Sequence, residues 1–122
     1  MKTIALIAHD GKKADMVAFA TFNREKLKDY HLIATETTGK LLHSKVGLDV
    51  ETVLSGPMGG DVQIASRVAQ GLIAGVIFFV DPLNAHPHEP DIQGLLRVCN
   101  VHDVPLATNV ATADLIISGE AL

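Results

Sequence analysis

The chain has no tryptophan, one tyrosine, four phenylalanines and a single cysteine, Cys99. One thiol excludes an internal disulfide, so a packed apolar core has to stabilise the fold. The shortage of aromatic rings removes the stacking platform that single-stranded nucleic acid requires. Ten basic residues against fourteen acidic ones, a net charge of −4, remove the positive field as well. No nucleic-acid partner is expected. The N-terminal apolar run, Thr3 to Ala8, stops at His9 and Asp10 and is too short for a signal-peptide core or a membrane span. The expectation is a cytoplasmic protein with no membrane partner. Repeats, low-complexity stretches and linkers are absent too, which excludes fibrous and disordered classes. What is present is 48% hydrophobic residues in 122 positions, with a mean hydropathy of +0.27. That length suits one domain over residues 1–122, and the apolar surplus is more easily hidden between subunits than on a monomer.

Unalternating apolar runs recur at Thr3 to Ala8, Leu32 to Ala34, Val50 to Leu54, Val76 to Val80 and Pro105 to Ala107. Short runs of this kind suit strands covered on both faces, the parallel arrangement. Helical spacing fills the intervals. Met16, Phe19, Ala20 and Leu27 mark a helix over 14–27; Val62, Ala65, Val68, Ala69 and Leu72 one over 61–72; Ile92, Leu95, Leu96 and Cys99 one over 90–101. A short helix over 40–46, stopped by Gly47, and another after Ala111 complete the pattern. The alternation predicts an α/β fold, a doubly wound, mainly parallel five-stranded sheet with helices on both faces.

Polar residues that need explaining follow the strands: His9 to Lys13, Thr35 to Gly39, Ser55 to Asp61, Asp81 to Asp91, and Thr108 with Asn109. In open α/β sheets, loops at the carboxyl ends of strands converge on one crevice, so a small-molecule pocket is expected there. The SGPMGGD loop holds three glycines before a helix, which suits close backbone approach to an anion or else a tight turn. Neither GxxxxGK[ST] nor GxGxxG occurs, so the usual nucleotide fingerprints are missing. TETTG offers three hydroxyls, with N-capping by Thr37 or Thr38 as the plain alternative. Asp61 suits a helix cap or, beside glycines and shielded from water, a general base of raised pKa. Asp81, His86, His88, Glu89 and Asp91 fall within eleven residues, which invites a metal reading, but three prolines stiffen the loop and the two histidines lack the i, i+4 spacing. His88 then becomes a neutral donor to a carbonyl oxygen, with Asp91 capping or orienting it. Lys12 and Lys13 open a helix, where the dipole disfavours cations, so a counterion nearby or plain solvation explains them. Cys99 lies on an apolar stripe and is expected to be an inert buried thiol.

The blocks LIAHDGKK, ATETTG, SGPMGGD, FFVDPLNAHPHEPD and PLATNVATAD resemble, in order and spacing, the successive blocks of the methylglyoxal synthase family over nearly the whole chain. The resemblance implies conversion of dihydroxyacetone phosphate to methylglyoxal and inorganic phosphate, with no metal or organic cofactor, in a homohexamer, with phosphate as product or inhibitor. By the family's pattern the base falls on Asp61 and the carbonyl partner on His88, with Asp91 supporting. Substrate and phosphate contacts fall on His9, Lys13, Thr35, Glu36, Thr37, Thr38, Ser55 and Gly56, and Asp10 is a candidate for assisting phosphate departure. Two departures stand out. Glu36 occupies a glycine position of the pattern, and since a carboxylate facing phosphate is unfavourable, it is expected to offer only backbone or to turn away. Leu122 precedes the C-terminal extension of longer members, so the regulation that depends on that extension's basic residue is left open. A non-catalytic phosphate-binding module of the same fold would keep the hydroxyl and glycine loops but would not need Asp61 and His88 together.

Overall fold

The computed structural model describes residues 1–119 and 122. Strands β1 (Thr3–Ala8), β2 (His31–Thr35), β3 (Glu51–Val53), β4 (Gly75–Phe79) and β5 (Leu106–Ala107) form one parallel sheet in the order β3-β2-β1-β4-β5. Helices α1 (Lys13–Phe22), α2 (Arg24–Leu27), α3 (Glu36–Leu41), α4 (Gly60–Ala69), α5 (Glu89–Val101) and α6 (Val110–Ser118) cover it.

Side-chain alternation along β1 divides the interior in two. Ile4, Leu6 and Ala8 face a core built with α1, α2, the α3 segment and α6, where Met16, Phe19, Leu27, Leu42 and Ile117 are buried. Ala5 and Ile7 face the second core, where α4 and α5 bring Ile64, Val68, Ile92, Leu95 and Cys99. With both faces covered, strands need no polar side, which is why β4 is buried at every position. Winding starts at β1, proceeds outward through β2 and β3, then restarts on the other side with β4. The reversal leaves a crevice beyond the carboxyl ends of β1 and β4.

Three sequence expectations need correction. The helix expected over 40–46 starts at Glu36 and continues as a wider π-turn over Leu42–Val46, because Gly39 does not break it. A Cβ on Gly39 would lie 2.4 Å from Thr52 Cγ2, so this glycine lets α3 press against β3. Gly47 ends the segment as expected, at φ 74°. The helix expected over 14–27 breaks at Asn23, whose buried Nδ2 donates to Phe19 O (3.0 Å) and Asp114 Oδ1 (3.3 Å), offering the backbone an alternative to helical bonding. Val62 and Leu72, placed by spacing on the inner stripe of a helix expected over 61–72, are exposed, and α4 ends at Ala69, before Leu72. The stripe that is buried runs Asp61, Ile64, Val68.

Candidate active site

A cavity of about 510 Å³ opens at the crevice, lined from every loop that follows β1 to β4. Three strands reach it in the same way. His9 after β1 (φ −62°, ψ 158°), Thr35 after β2 (φ −64°, ψ 155°) and Ser55 after β3 (φ −62°, ψ 158°) each end extended and lead straight into a helical turn. All three occupy the N-cap position, and none uses its side chain as a cap. A polar side chain there normally bonds the first turn's amides; these line the cavity instead. The loop after β5 behaves differently. Asn109 caps its own helix, Oδ1 accepting from Thr112 N–H at 2.9 Å, and neither Thr108 nor Asn109 lines the cavity. The expectation that all five strand ends converge therefore holds for four.

Asp61 and His88 meet because of helix packing. Asp61 begins the buried stripe of α4 one turn before Ile64, and His88 precedes that of α5 one turn before Ile92. The two helices lie against each other on one sheet face. The result is a distance of 3.4 Å between His88 Nε2 and Asp61 Oδ2, with both side chains almost fully buried. The pair lacks hydrogen-bond alignment, and both Asp61 oxygens are buried without a partner among the described residues. Asp61 is thus not a helix cap. Burial pushes its carboxyl above the usual carboxylate range, Asp91 adds to this, and His88 and His86 pull it back.

The glycine loop serves this pair more than it serves a ligand. A Cβ on Gly56 would lie 2.8 Å from His88 Nε2, and one on Gly60 1.9 Å from Leu54 O. Gly59 adopts φ 105°, open to glycine at little cost. The amides of Met58, Gly59 and Gly60 bond Ser55 and Gly56 carbonyls, so these three N–H groups are not aimed at an anion. Lys13 Nζ donates to Ala8 O and Asp10 Oδ1, each at 2.9 Å, which holds the exposed Asp10 carboxyl below its ordinary range.

His9 is fixed by Asp81, a residue the sequence had raised only in the metal reading it disfavoured. Asp81 N–H donates to His9 Nδ1 at 2.9 Å, while the Asp81 carboxylate accepts from Leu83 N–H (3.1 Å) and Asn84 Nδ2 (2.6 Å), forming an Asx turn. Gly11 permits this, since a Cβ there would meet Asp81 Oδ2 at 2.3 Å. With Nδ1 accepting, the His9 proton resides on Nε2, which is buried and unpartnered among the described residues. Burial first, and then His86 and His88, push the His9 pKa down to about 4. Among the described residues no group of three His, Cys, Asp or Glu side chains is arranged to hold a metal ion.

Of the residues singled out from sequence, the cavity brings together His9, Asp10, Lys13, Thr35, Thr37, Ser55, Gly56, Asp61 and His88. Glu36, Thr38 and Asp91 do not line it. Glu36 Oε1 is bonded by Lys40 Nζ at 2.8 Å, and Thr38 is buried, with its hydroxyl unpartnered among the described residues. His86 and Asp81, raised from sequence only in the disfavoured metal reading, also line the cavity, as does Asn84, which sequence reasoning missed. The Asp-Pro-Leu-Asn turn at 81–84 was the signal available for Asn84. Cys99 is buried, which raises its thiol to about 11.

The MGS-like domain model matches residues 15–108. A methylglyoxal synthase of Clostridium botulinum is 59% identical over 114 residues, 93% of this chain and 96% of that one. The chain belongs to the methylglyoxal synthase family. A Thermus thermophilus methylglyoxal synthase is 57% identical over 118 residues, 97% of this chain and 94% of its own length. The crystal structure of methylglyoxal synthase from Elizabethkingia anophelis superposes with a TM-score of 0.92 at 49% identity, covering 98% of this chain and 78% of that one. The doubly wound sheet is therefore the methylglyoxal synthase fold, and the cavity lies at its switch point.

Proposed function

We propose that the cavity carries out the reaction of a methylglyoxal synthase, conversion of dihydroxyacetone phosphate to methylglyoxal and inorganic phosphate, with Asp61 as the base. Membership of the family supports the reaction. The observation that carries the residue assignment is a buried carboxylate whose two oxygens have no protein partner among the described residues, 3.4 Å from an imidazole.

Asp61 removes a proton from the hydroxymethyl carbon, and the electron pair moves onto the carbonyl oxygen, which accepts a hydrogen bond from His88. The resulting enediolate expels phosphate by cleavage of its C–O bond, leaving the enol of methylglyoxal, which ketonises. Elimination requires that bond to lie out of the enediolate plane; in plane, phosphate stays attached. Thr35, Thr37, Ser55 and Lys13 hold the phosphoryl group, Gly56 gives the His88 ring its room, and Asp10 keeps the Lys13 ammonium in place. Asp91 acts on Asp61 through charge, while Glu36 and Thr38 shape α3 from outside the cavity.

Acid and base both come from side chains, so the reading requires neither metal nor organic cofactor. Inorganic phosphate, as product, competes for the same donors. A homohexamer in the cytoplasm is the setting the family resemblance supports; no helix among the described residues is long and apolar enough to cross a membrane. Incubation with dihydroxyacetone phosphate and trapping of the α-oxoaldehyde tests the reaction. Product that persists after exhaustive chelation is expected, and absence of product overturns the reading.

A further inference from the structure

The proposed chemistry leaves His86 without a role, yet its ring stacks on His9 with centroids 3.7 Å apart at 27°, and it stands 5.7 Å from the His88 ring. It lines the cavity, and its Nε2 is buried with no partner among the described residues. An orphaned ring nitrogen in a cavity wall is costly unless a ligand meets it.

Charge indicates which ligand. One lysine and three aspartates line the cavity, and the Lys13 ammonium is already bonded to Ala8 O and Asp10. A phosphate ester adds up to two further negative charges beside these carboxylates, and like charges at such range repel. Some group has to become positive as the ester enters. His9 is a poor candidate, because its Nδ1 is an acceptor for Asp81 N–H and its pKa is pushed down to about 4. His88 faces Asp61 and, in the proposed reaction, the carbonyl oxygen. His86 remains.

We propose that His86 takes up a proton when a phosphate ester binds and donates from Nε2 to the phosphoryl oxygens. The inference rests on the phosphate-ester reading of the cavity and extends it. The titratable groups close to this imidazole are His9 and Asp10 from the end of β1, Asp61 from α4, and Asp81 and His88 from its own loop, while Lys13 lines the same cavity. Three of these groups are carboxylates, Asp10, Asp61 and Asp81, and the ring stacks on the His9 imidazole, so an arriving ester meets His86 with its ring held in place. The positive charge then faces the phosphate as it departs.

Sulfate, a tetrahedral dianion that does not titrate near neutral pH, is the probe. Ring resonances of isotopically labelled histidine are followed between about pH 5 and 8 with and without saturating sulfate. His86 is assigned by through-bond correlation in the unsubstituted protein, so the readout survives even if a variant misfolds. Sulfate is expected to keep the His86 ring charged about one pH unit further up, which is about a tenfold loss of sulfate affinity as the ring deprotonates. His86→Gln is expected to bind sulfate more weakly and with that pH dependence gone. A His86 ring that titrates identically with and without sulfate overturns the proposal, as does a folded His86→Gln protein retaining the original pH dependence. If the protein forms methylglyoxal while His86 ignores sulfate, only this inference fails. If it forms none while His86 responds, the enzymatic reading fails and the proton-coupled anion site stands.

Discussion

Asp61 is stabilised poorly by its own fold. Its carboxyl is fully buried, unpartnered among the described residues, and raised in pKa chiefly by desolvation. A folded-state pKa above the unfolded one means the group favours folding most when protonated, below about pH 4, and that this contribution is lost as pH rises through the folded value. Asp61→Asn removes the charge while keeping the shape. Its melting temperature should exceed the unsubstituted protein's at neutral pH, with the gap closing in acid, while turnover falls about 10²- to 10⁴-fold. Calorimetry across pH beside an α-oxoaldehyde assay checks both; a variant that is less stable and still active contradicts the base assignment. His9 has the opposite sign of pH dependence. Its folded pKa, about 4, lies below the ordinary imidazole value of 6.5, so the unfolded chain binds more protons between those values and stability from this group falls as pH drops through that window. His9→Asn keeps an acceptor for Asp81 N–H and should flatten that part of the urea-unfolding profile by up to about 1.4 kcal/mol per pH unit. Sequence made Asp61 and His88 legible as reactive types; that Asp61's oxygens are free rather than capping depended on where the α4 stripe faces.

At the scale of elements, the same N-cap position is put to two uses. Asn109 caps α6, whereas Ser55 occupies the position before its turn without capping. Asn109→Ala should therefore cost about 1 kcal/mol of stability and leave kcat/KM unchanged. Ser55→Ala should change stability by less than about 0.5 kcal/mol while lowering kcat/KM about 10- to 100-fold, the loss of one hydrogen bond to a charged group. Urea unfolding and steady-state kinetics on the two variants check the contrast; equal effects on stability would contradict it. Strands and most helices were legible because apolar runs and 3.6-residue spacing report burial directly. The start of α3 was not, because Thr35 to Gly39 carries turn-forming residues whose reason is tertiary: Gly39 presses on Thr52, and Thr35 and Thr37 line the cavity. Val62 and Leu72 misled in the other direction. Apolar side chains at helical spacing were counted as core, although a carboxylate, Asp61, holds the inner position.

The whole molecule leaves large apolar side chains in water. α1 and α6 pack together on one face of the sheet, and both expose apolar side chains: Phe22 of α1 is 85% accessible, and Leu115 and Val110 of α6 are 73% and 38% accessible. Leu83, 91% accessible, stands on the loop that also carries His86 and His88. Burying a side chain of this size stabilises by about 1.5–3 kcal/mol, so several meeting across a symmetric contact are enough to hold copies together, while on a 13.0 kDa monomer they would promote aggregation. The hydropathy of the sequence carried this signal without saying where the surplus lay, since spacing along a helix cannot tell a core-facing stripe from a partner-facing one. Light scattering at micromolar concentration is expected to give a mass six times that of one chain. Leu115→Asp should shift that mass downward while the isolated chain keeps its circular dichroism, because Leu115 contributes little to the monomer's own core. A protein that runs as a stable, soluble 13.0 kDa species would contradict the expectation of a hexamer and require those side chains to be tolerated in water.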